Sequence, residues 1–306
     1  MNATRHGRGN ERSAILGWLA AGGVLLGCGS ASTPPRGSEA MREGGVQPDE
    51  SHARVEVLVP KAVSPGTTID VGVRFTIEKD WHLYWNGQND SGTPIVLELR
   101  MPAGFKAKEA LWPAPERLVE PGGILNHIYE REVILIVPVE VGADAKMGPA
   151  EIRVDARWLA CKEACVPESG GASASISIEA GHAGTRSIVS HESVAKARAA
   201  LPIELAKDDP RVRVRVKGTS VELEAPGAVE IAFMPGPGCA SVKDLSAAGL
   251  AKGARMAFEV EDDPNPVRIS GIVRVANSEG VRAYYHIDTH AGARPADGQE
   301  RPGLSR

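Results

Sequence analysis

The feature that most constrains this chain is a two-residue alternation of apolar and polar side chains, in short runs broken by turn residues. Arg54-Val55-Glu56-Val57-Leu58-Val59 alternates, as does Thr68-Ile69-Asp70-Val71-Gly72-Val73-Arg74-Phe75-Thr76-Ile77. A period of two puts neighbouring side chains on opposite faces of an extended strand, so each run can bury one face. Further runs cover residues 95–100, 132–141, 151–159 and 174–179. Turn signals separate them: Ser64-Pro65-Gly66, Asn89-Asp90-Ser91-Gly92, Pro102-Ala103-Gly104 and Met147-Gly148-Pro149. The 34 Gly and 22 Pro among 306 residues exceed ordinary usage, as a chain of many tight turns requires. Short strands punctuated in this way predict an antiparallel, all-β sandwich over residues 52–180.

A chain of this length has room for about two domains. Residues 190–200 (SHESVAKARAA) read as a helix with Ser190 as its N-cap and Pro202 beyond its end, so 181–208 is expected to be a helical connector. Alternation resumes at 211–216, 220–224, 229–234, 256–260, 267–275 and 281–288, which predicts a second, smaller β-sandwich-like unit over 209–290. The tail 291–306 has no buriable pattern and is expected to be disordered. Residues 105–129 carry Pro113, Pro115, Pro121 and paired glycines, and read as a long loop of the kind that covers functional sites.

At the amino terminus, Arg5, Arg8 and Arg12 precede an uncharged apolar stretch, 14–26, too short to span a membrane and typical of an export signal. It ends in Leu25-Leu26-Gly27-Cys28, which resembles a bacterial lipobox. That resemblance implies removal of residues 1–27 and lipidation of Cys28; an unlipidated signal peptide that happens to contain a cysteine is the competing reading. Gly29, in place of Asp, leaves open which membrane holds the anchor. Residues 28–51 are rich in Gly, Ser and Pro and read as a flexible tether reaching about 25–30 Å. A lipid-anchored domain on the periplasmic face of the envelope is expected, in a compartment that permits disulfides. A net charge of −4 gives no electrostatic footprint for nucleic acid.

Beyond Cys28 the cysteines are Cys161, Cys165 and Cys239. Cys161 and Cys165 stand in Leu159-Ala160-Cys161-Lys162-Glu163-Ala164-Cys165-Val166-Pro167, at the end of a strong strand, where a tight turn can bring the sulfurs together. As a staple the pair is poor, because closing so short a ring stabilises by about 2 kcal/mol against nearly 5 for a hundred-residue loop. A short, exposed, easily reduced pair suits thiol–disulfide exchange. An inert hairpin disulfide and a thiolate metal pair are the alternatives; Cu(I) suits two sulfurs better than zinc, which lacks further ligands at spacing.

Five blocks over about 130 residues carry a family resemblance: Trp81-His82-Leu83-Tyr84-Trp85, Asp90-Ser91-Gly92-Thr93-Pro94, Leu111-Trp112-Pro113-Ala114-Pro115, Tyr129-Glu130-Arg131-Glu132-Val133-Ile134-Leu135 and 158–167 around the cysteines. Together they resemble the amino-terminal periplasmic domain of the thiol:disulfide interchange protein DsbD family, in a stand-alone form. The resemblance implies an immunoglobulin-like sandwich whose cysteine pair relays reducing equivalents. Cys165 would attack a partner disulfide and Cys161 would resolve the mixed disulfide. A cap loop over the pair would fall within 116–127, with Leu118, Ile124, Leu125 and His127 as its cap residues where better-known members present aromatics. The implied partners are a membrane thiol carrier as electron donor and periplasmic thioredoxin-fold proteins as acceptors. The activity would be protein-disulfide reduction, without a cofactor or resident metal. The competing function is a non-enzymatic envelope lipoprotein that binds copper or a protein partner, its disulfide merely structural.

Other residues carry weaker signals. Cys239 is expected to be a free thiol, with a regulatory pairing to Cys161 or Cys165 as the sharper idea. His286, Asp288 and His290 share a strand face but read as a solvated strand end. His82 and His127 are candidates for proton transfer as well as ordinary satisfied histidines. Trp81, Trp85, Trp112 and Trp158 are assigned to core and cap support. Lys162 and Glu163 flank the cysteines with opposite charges, so neither direction of thiol pKa shift follows. No nucleophile elbow, phosphate loop or zincin helix is present.

Overall fold

The computed structural model describes residues 51–180, 189–261 and 267–289. The expected signal segment, Cys28, all but the last residue of the tether, 181–188 of the connector, His290 and the tail lie outside the described residues.

Two sheets form the first sandwich. One orders Ala53–Leu58, Thr68–Ile77, Glu132–Val141 and Phe105–Ala107, with Val189–Ser190 added in parallel to Thr68–Ile77. The other orders Ala62–Val63, Cys165–Ile178, Gly148–Cys161, His82–Tyr84, Leu125–Glu130 and Glu116–Val119, with Val96–Arg100 paired to Gly148–Cys161. Alternation decides what lies between them. Ile69, Val71, Val73 and Phe75 from the first sheet meet Ile152, Val154, Ala156 and Trp158 from the second, all buried. Each such side chain larger than alanine contributes about 1.5–3 kcal/mol of burial.

The outer face of Thr68–Ile77 is covered by the helix Glu192–Ala199, whose Val194 packs with Leu58, Ile134 and Ile136. Gly72 lies on this outer face, where a Cβ would overlap Val194. Buried Asp70 pairs with Arg198 of the helix at 2.7 Å. Ser190 is not the helix cap; it lies in a strand, and His191 caps instead, its Nδ1 accepting from the Ser193 N–H.

Residues 105–129 are also not one loop. They contain the strand Phe105–Ala107, the edge strand Glu116–Val119 and most of Leu125–Glu130. Glu116–Val119 pairs antiparallel with Leu125–Glu130, making a hairpin whose turn is Glu120-Pro121-Gly122-Gly123-Ile124. Its prolines flank the strands, which hides a short period-two pattern from sequence inspection.

The C-terminal part holds a sheet ordered Ile203–Glu204, Arg282–Asp288, Ser270–Ala276, Glu230–Pro235 and Leu250–Lys252, and a three-stranded sheet of Arg213–Lys217, Ser220–Glu224 and Arg255–Glu259. Val221, Leu223, Ile231, Phe233, Phe258 and Val273 fill the space between them. The other face of the larger sheet presents Ala232, Met234 and Ile272, which join the core of the first sandwich. The apolar interior therefore runs continuously from one β region to the other.

Candidate functional site

The strands Gly148–Cys161 and Cys165–Ile178 form the longest hairpin among the described residues, and Cys161 opposite Cys165 is its last pair. Lys162-Glu163-Ala164 closes the turn, and the two sulfurs are bonded across Cα atoms 4.1 Å apart. Three residues further down, buried Glu168 accepts hydrogen bonds from Trp158 Nε1 at 2.8 Å, Ser51 Oγ at 2.7 Å and the His52 N–H at 2.9 Å. A carboxylate with its oxygens so engaged fixes the hairpin close to its disulfide end and ties the start of the first strand to it.

The two sulfurs sit in different surroundings. Cys161 is 2% exposed, whereas Cys165, Lys162, Glu163 and Ala164 all face solvent. Cys161 pairs across the ladder with His82, the first residue of His82–Tyr84. Period two then sends Leu83 into the core and places His82 and Tyr84 on the cysteine face. The Tyr84 hydroxyl donates to Cys161 Sγ at 3.1 Å and lies 3.8 Å from Cys165 Sγ. His82 Nε2 stands 3.4 Å from the same hydroxyl. Tyr84, Cys161 and Ile128 form a small apolar cluster onto which Leu118 and Leu159 pack.

Tyr84 is held from outside by a turn that only glycine completes. Gly92 has φ +77°, and a Cβ there would lie within van der Waals overlap of the Tyr84 ring. The flanking residues bind the cap hairpin: the Leu125 N–H donates to Asp90 Oδ2 at 2.6 Å, and the Ser91 N–H to Asn126 Oδ1 at 3.0 Å. Asn126 Nδ2 donates in turn to Ser91 Oγ at 2.9 Å and Glu120 Oε2 at 2.8 Å.

Burial, reinforced by the charge of Glu120 and opposed by a Ser91 hydrogen bond, raises the Tyr84 pKa above the ordinary tyrosine value. The phenol therefore stays protonated and remains a donor to sulfur. Burial lowers the His82 pKa against the pull of Glu120 and Glu130, which keeps the imidazole neutral near pH 7. Lys162 pairs with Asp80 at 3.4 Å in solvent, a contact worth little.

The sequence-derived cap residues separate in space. Leu118 lies on the cysteine cluster. Ile124 is 41% exposed at the tip of the hairpin turn. Leu125 and His127 are fully buried and alternate with Ile128 along their strand, which places them on the opposite face from the cysteines. His127 Nδ1 donates to the Gln88 carbonyl at 2.7 Å and its ring meets Trp85 edge-on. Trp85 and Trp158 are core residues, while Trp81 stacks on His52 and Trp112 on Tyr129.

Burial depresses the His127 pKa to about 4; the Gln88 carbonyl opposes this, Arg117 adds to it and Asp90 opposes it. The unfolded chain then takes up a proton that the folded chain refuses, so stability present above pH 6.5 declines on acidification and levels off near pH 4. The loss reaches about 3 kcal/mol, and it should flatten in His127→Gln when the unfolding midpoint is followed against pH. A His127→Gln curve with the same acid slope as the parent chain would contradict this.

Cys239 is a free thiol, partly buried, with its pKa pushed up to about 11 by burial despite the Ser270 backbone and Arg268. His286 pairs with Glu204 and Asp288 with Arg268. Among the described residues no group of three or more His, Cys, Asp or Glu is placed to hold a metal ion. No helix among them is long and apolar enough to cross a membrane. Tyr84, Gly92, Glu120 and Asn126 were not singled out from sequence; the signal for the first two was their place in conspicuous blocks, Trp81–Trp85 and Asp90–Pro94.

A β-sandwich that ends in a hairpin disulfide, one sulfur buried against a phenol and the other facing solvent, defines a thiol–disulfide exchange domain. Residues 53–174 match the family model of the thiol:disulfide interchange protein DsbD, N-terminal. Among solved structures, the chain is similar to the N-terminal periplasmic domain of ScsB from Proteus mirabilis at 13% identity, over 79% of this chain and 95% of that one, with a TM-score of 0.49. It is also similar to the Neisseria meningitidis DsbD N-terminal domain in its reduced form, at 20% identity, over 43% of this chain and 90% of that one, with a TM-score of 0.29. No curated protein sequence matches the chain.

Proposed function

We propose that this protein is a lipid-anchored periplasmic module that passes reducing equivalents through Cys161 and Cys165, from a membrane thiol carrier to oxidised thioredoxin-fold proteins. The observation that carries the reading is the asymmetry of the bonded pair: Cys165 faces solvent, while Cys161 is buried under the Tyr84 hydroxyl. A donor thiolate attacks Cys165 Sγ, the S–S bond breaks, and its electron pair leaves on Cys161 Sγ. Tyr84 donates a hydrogen bond to that departing thiolate. A second donor thiol, deprotonated, attacks the mixed disulfide and frees Cys165, which leaves two thiols here and a disulfide on the donor. Toward the acceptor the steps reverse: the Cys165 thiolate attacks the acceptor disulfide and Cys161 resolves the mixed species. Residues 1–27 act as the export signal, Cys28 as the lipid-bearing residue, and the segment up to the first sandwich as the tether.

The test mixes the reduced protein with an oxidised thioredoxin-fold protein and follows both by thiol trapping. Rapid transfer is expected, slowed about tenfold in Tyr84→Phe, which removes a hydrogen bond to a charged sulfur. No transfer to any such partner would contradict the proposal, and an unchanged rate in Tyr84→Phe would remove the phenol from the mechanism.

A further inference from the structure

The cap hairpin has two faces, and different parts of the molecule hold them. On its front, Leu118 packs onto the Tyr84–Ile128–Cys161 cluster. Its neighbour Arg117 points the other way, and Arg117 Nη2 donates to the Ser246 carbonyl at 2.7 Å, within the short helix Leu245–Ala248 of the C-terminal region. Among the described residues no carboxylate pairs with Arg117, so this carbonyl is its hydrogen-bond partner. The fit behind the hairpin is close: a Cβ on Gly249 would come within 3.0 Å of Arg117 Nε and 3.3 Å of Leu125 Cδ2.

A second tie lies beside the first. The Gln88 side chain donates from Nε2 to the carbonyls of Cys239 at 3.1 Å and Ala240 at 3.0 Å, and its Oε1 accepts from the Val242 N–H at 3.0 Å. Gln88 is the same residue whose carbonyl receives the His127 Nδ1 bond from the hairpin's inner strand.

Leu118 of the edge strand Glu116–Val119 lies on the cysteine cluster, and Arg117 turns the back of the same strand to the C-terminal region. There it meets Leu245–Ala248 and Gly249. We infer that the C-terminal β region is the latch on the disulfide's lid, and that Arg117 is the positioning residue fastening the Leu118 strand to it. This regulation rests on the exchange reading above.

The experiment measures the rate at which tris(2-carboxyethyl)phosphine reduces the disulfide in the full chain, for the parent protein and for Arg117→Met, Arg117→Lys and Leu118→Ala. Arg117→Met should react about tenfold faster, with an unchanged equilibrium potential, because access changes and the sulfur pair does not. Arg117→Lys, which can still donate to the Ser246 carbonyl, should return near the parent rate, and Leu118→Ala should be fast. A parent-like rate in Arg117→Met beside a fast Leu118→Ala overturns the latch and leaves the exchange reading standing. A disulfide that stays closed to the reductant in every variant overturns both. Hydrogen exchange on the unmodified protein gives a check independent of variants: amides of Glu116–Val119 and Leu245–Ala248 should open together. Opening of the strand while the helix stays protected would overturn the latch.

Discussion

Cys161→Ala is expected to accumulate a covalent adduct with its partners through Cys165, and Cys165→Ala to form none. The two cysteines are four positions apart and bonded, yet their surroundings assign them different work. Cys165 lies at the solvent-facing end of the hairpin, on the side from which a foreign sulfur approaches. Cys161 is enclosed by Tyr84, Ile128 and its own strand, within reach of an intramolecular attack and of little else. Without Cys161 a mixed disulfide on Cys165 has nothing to resolve it. Without Cys165 the remaining thiol is covered. Turnover should fall below detection in both, while gel-shift of the trapped species separates them. Equal trapping by the two single variants would contradict the assigned roles.

Gly92→Ala is expected to damage stability and exchange together. The left-handed backbone at φ +77° disfavours any side chain, at roughly 1–2 kcal/mol, and the new methyl group would overlap the Tyr84 ring, which must shift or strain at about 1–3 kcal/mol. An unfolding midpoint lower by roughly 5–15 °C follows for a domain of this size. The displaced ring carries its hydroxyl away from Cys161 Sγ, so transfer should slow at least as much as in Tyr84→Phe. A variant that kept both the midpoint and the rate would show that Tyr84 is not packed under this turn.

The all-β character was legible because period two is written directly into Thr68–Ile77 and Glu132–Val141, whose inward residues are apolar without exception. Cys165–Ile178 was underread: its buried positions include Glu168 and its half-buried ones Gly170, Ala172 and Ala174, which pack against the hairpin without an apolar signal. The cap hairpin looks like loop in the sequence, since Pro113, Pro115 and Pro121 surround strands of a few residues. The cysteine pair stood out by spacing alone. Its surroundings did not: Tyr84 reaches Cys161 from 77 positions away, and Arg117 reaches Ser246 across 129. Such contacts follow from sheet order, which no local pattern encodes. The same limit explains why Leu125 and His127, adjacent in sequence to the cysteine-facing strand residues, belong to the opposite face.

Equilibration of the pair with glutathione or dithiothreitol buffers, followed by thiol trapping, is the most direct measurement of whether these sulfurs cycle. The account predicts complete and reversible reduction at a potential well above about −300 mV, as expected of a disulfide that closes a very short ring and turns one sulfur to solvent. A potential below that value, with the pair still joined after prolonged exposure to millimolar dithiol, would make it a structural bridge and contradict the account.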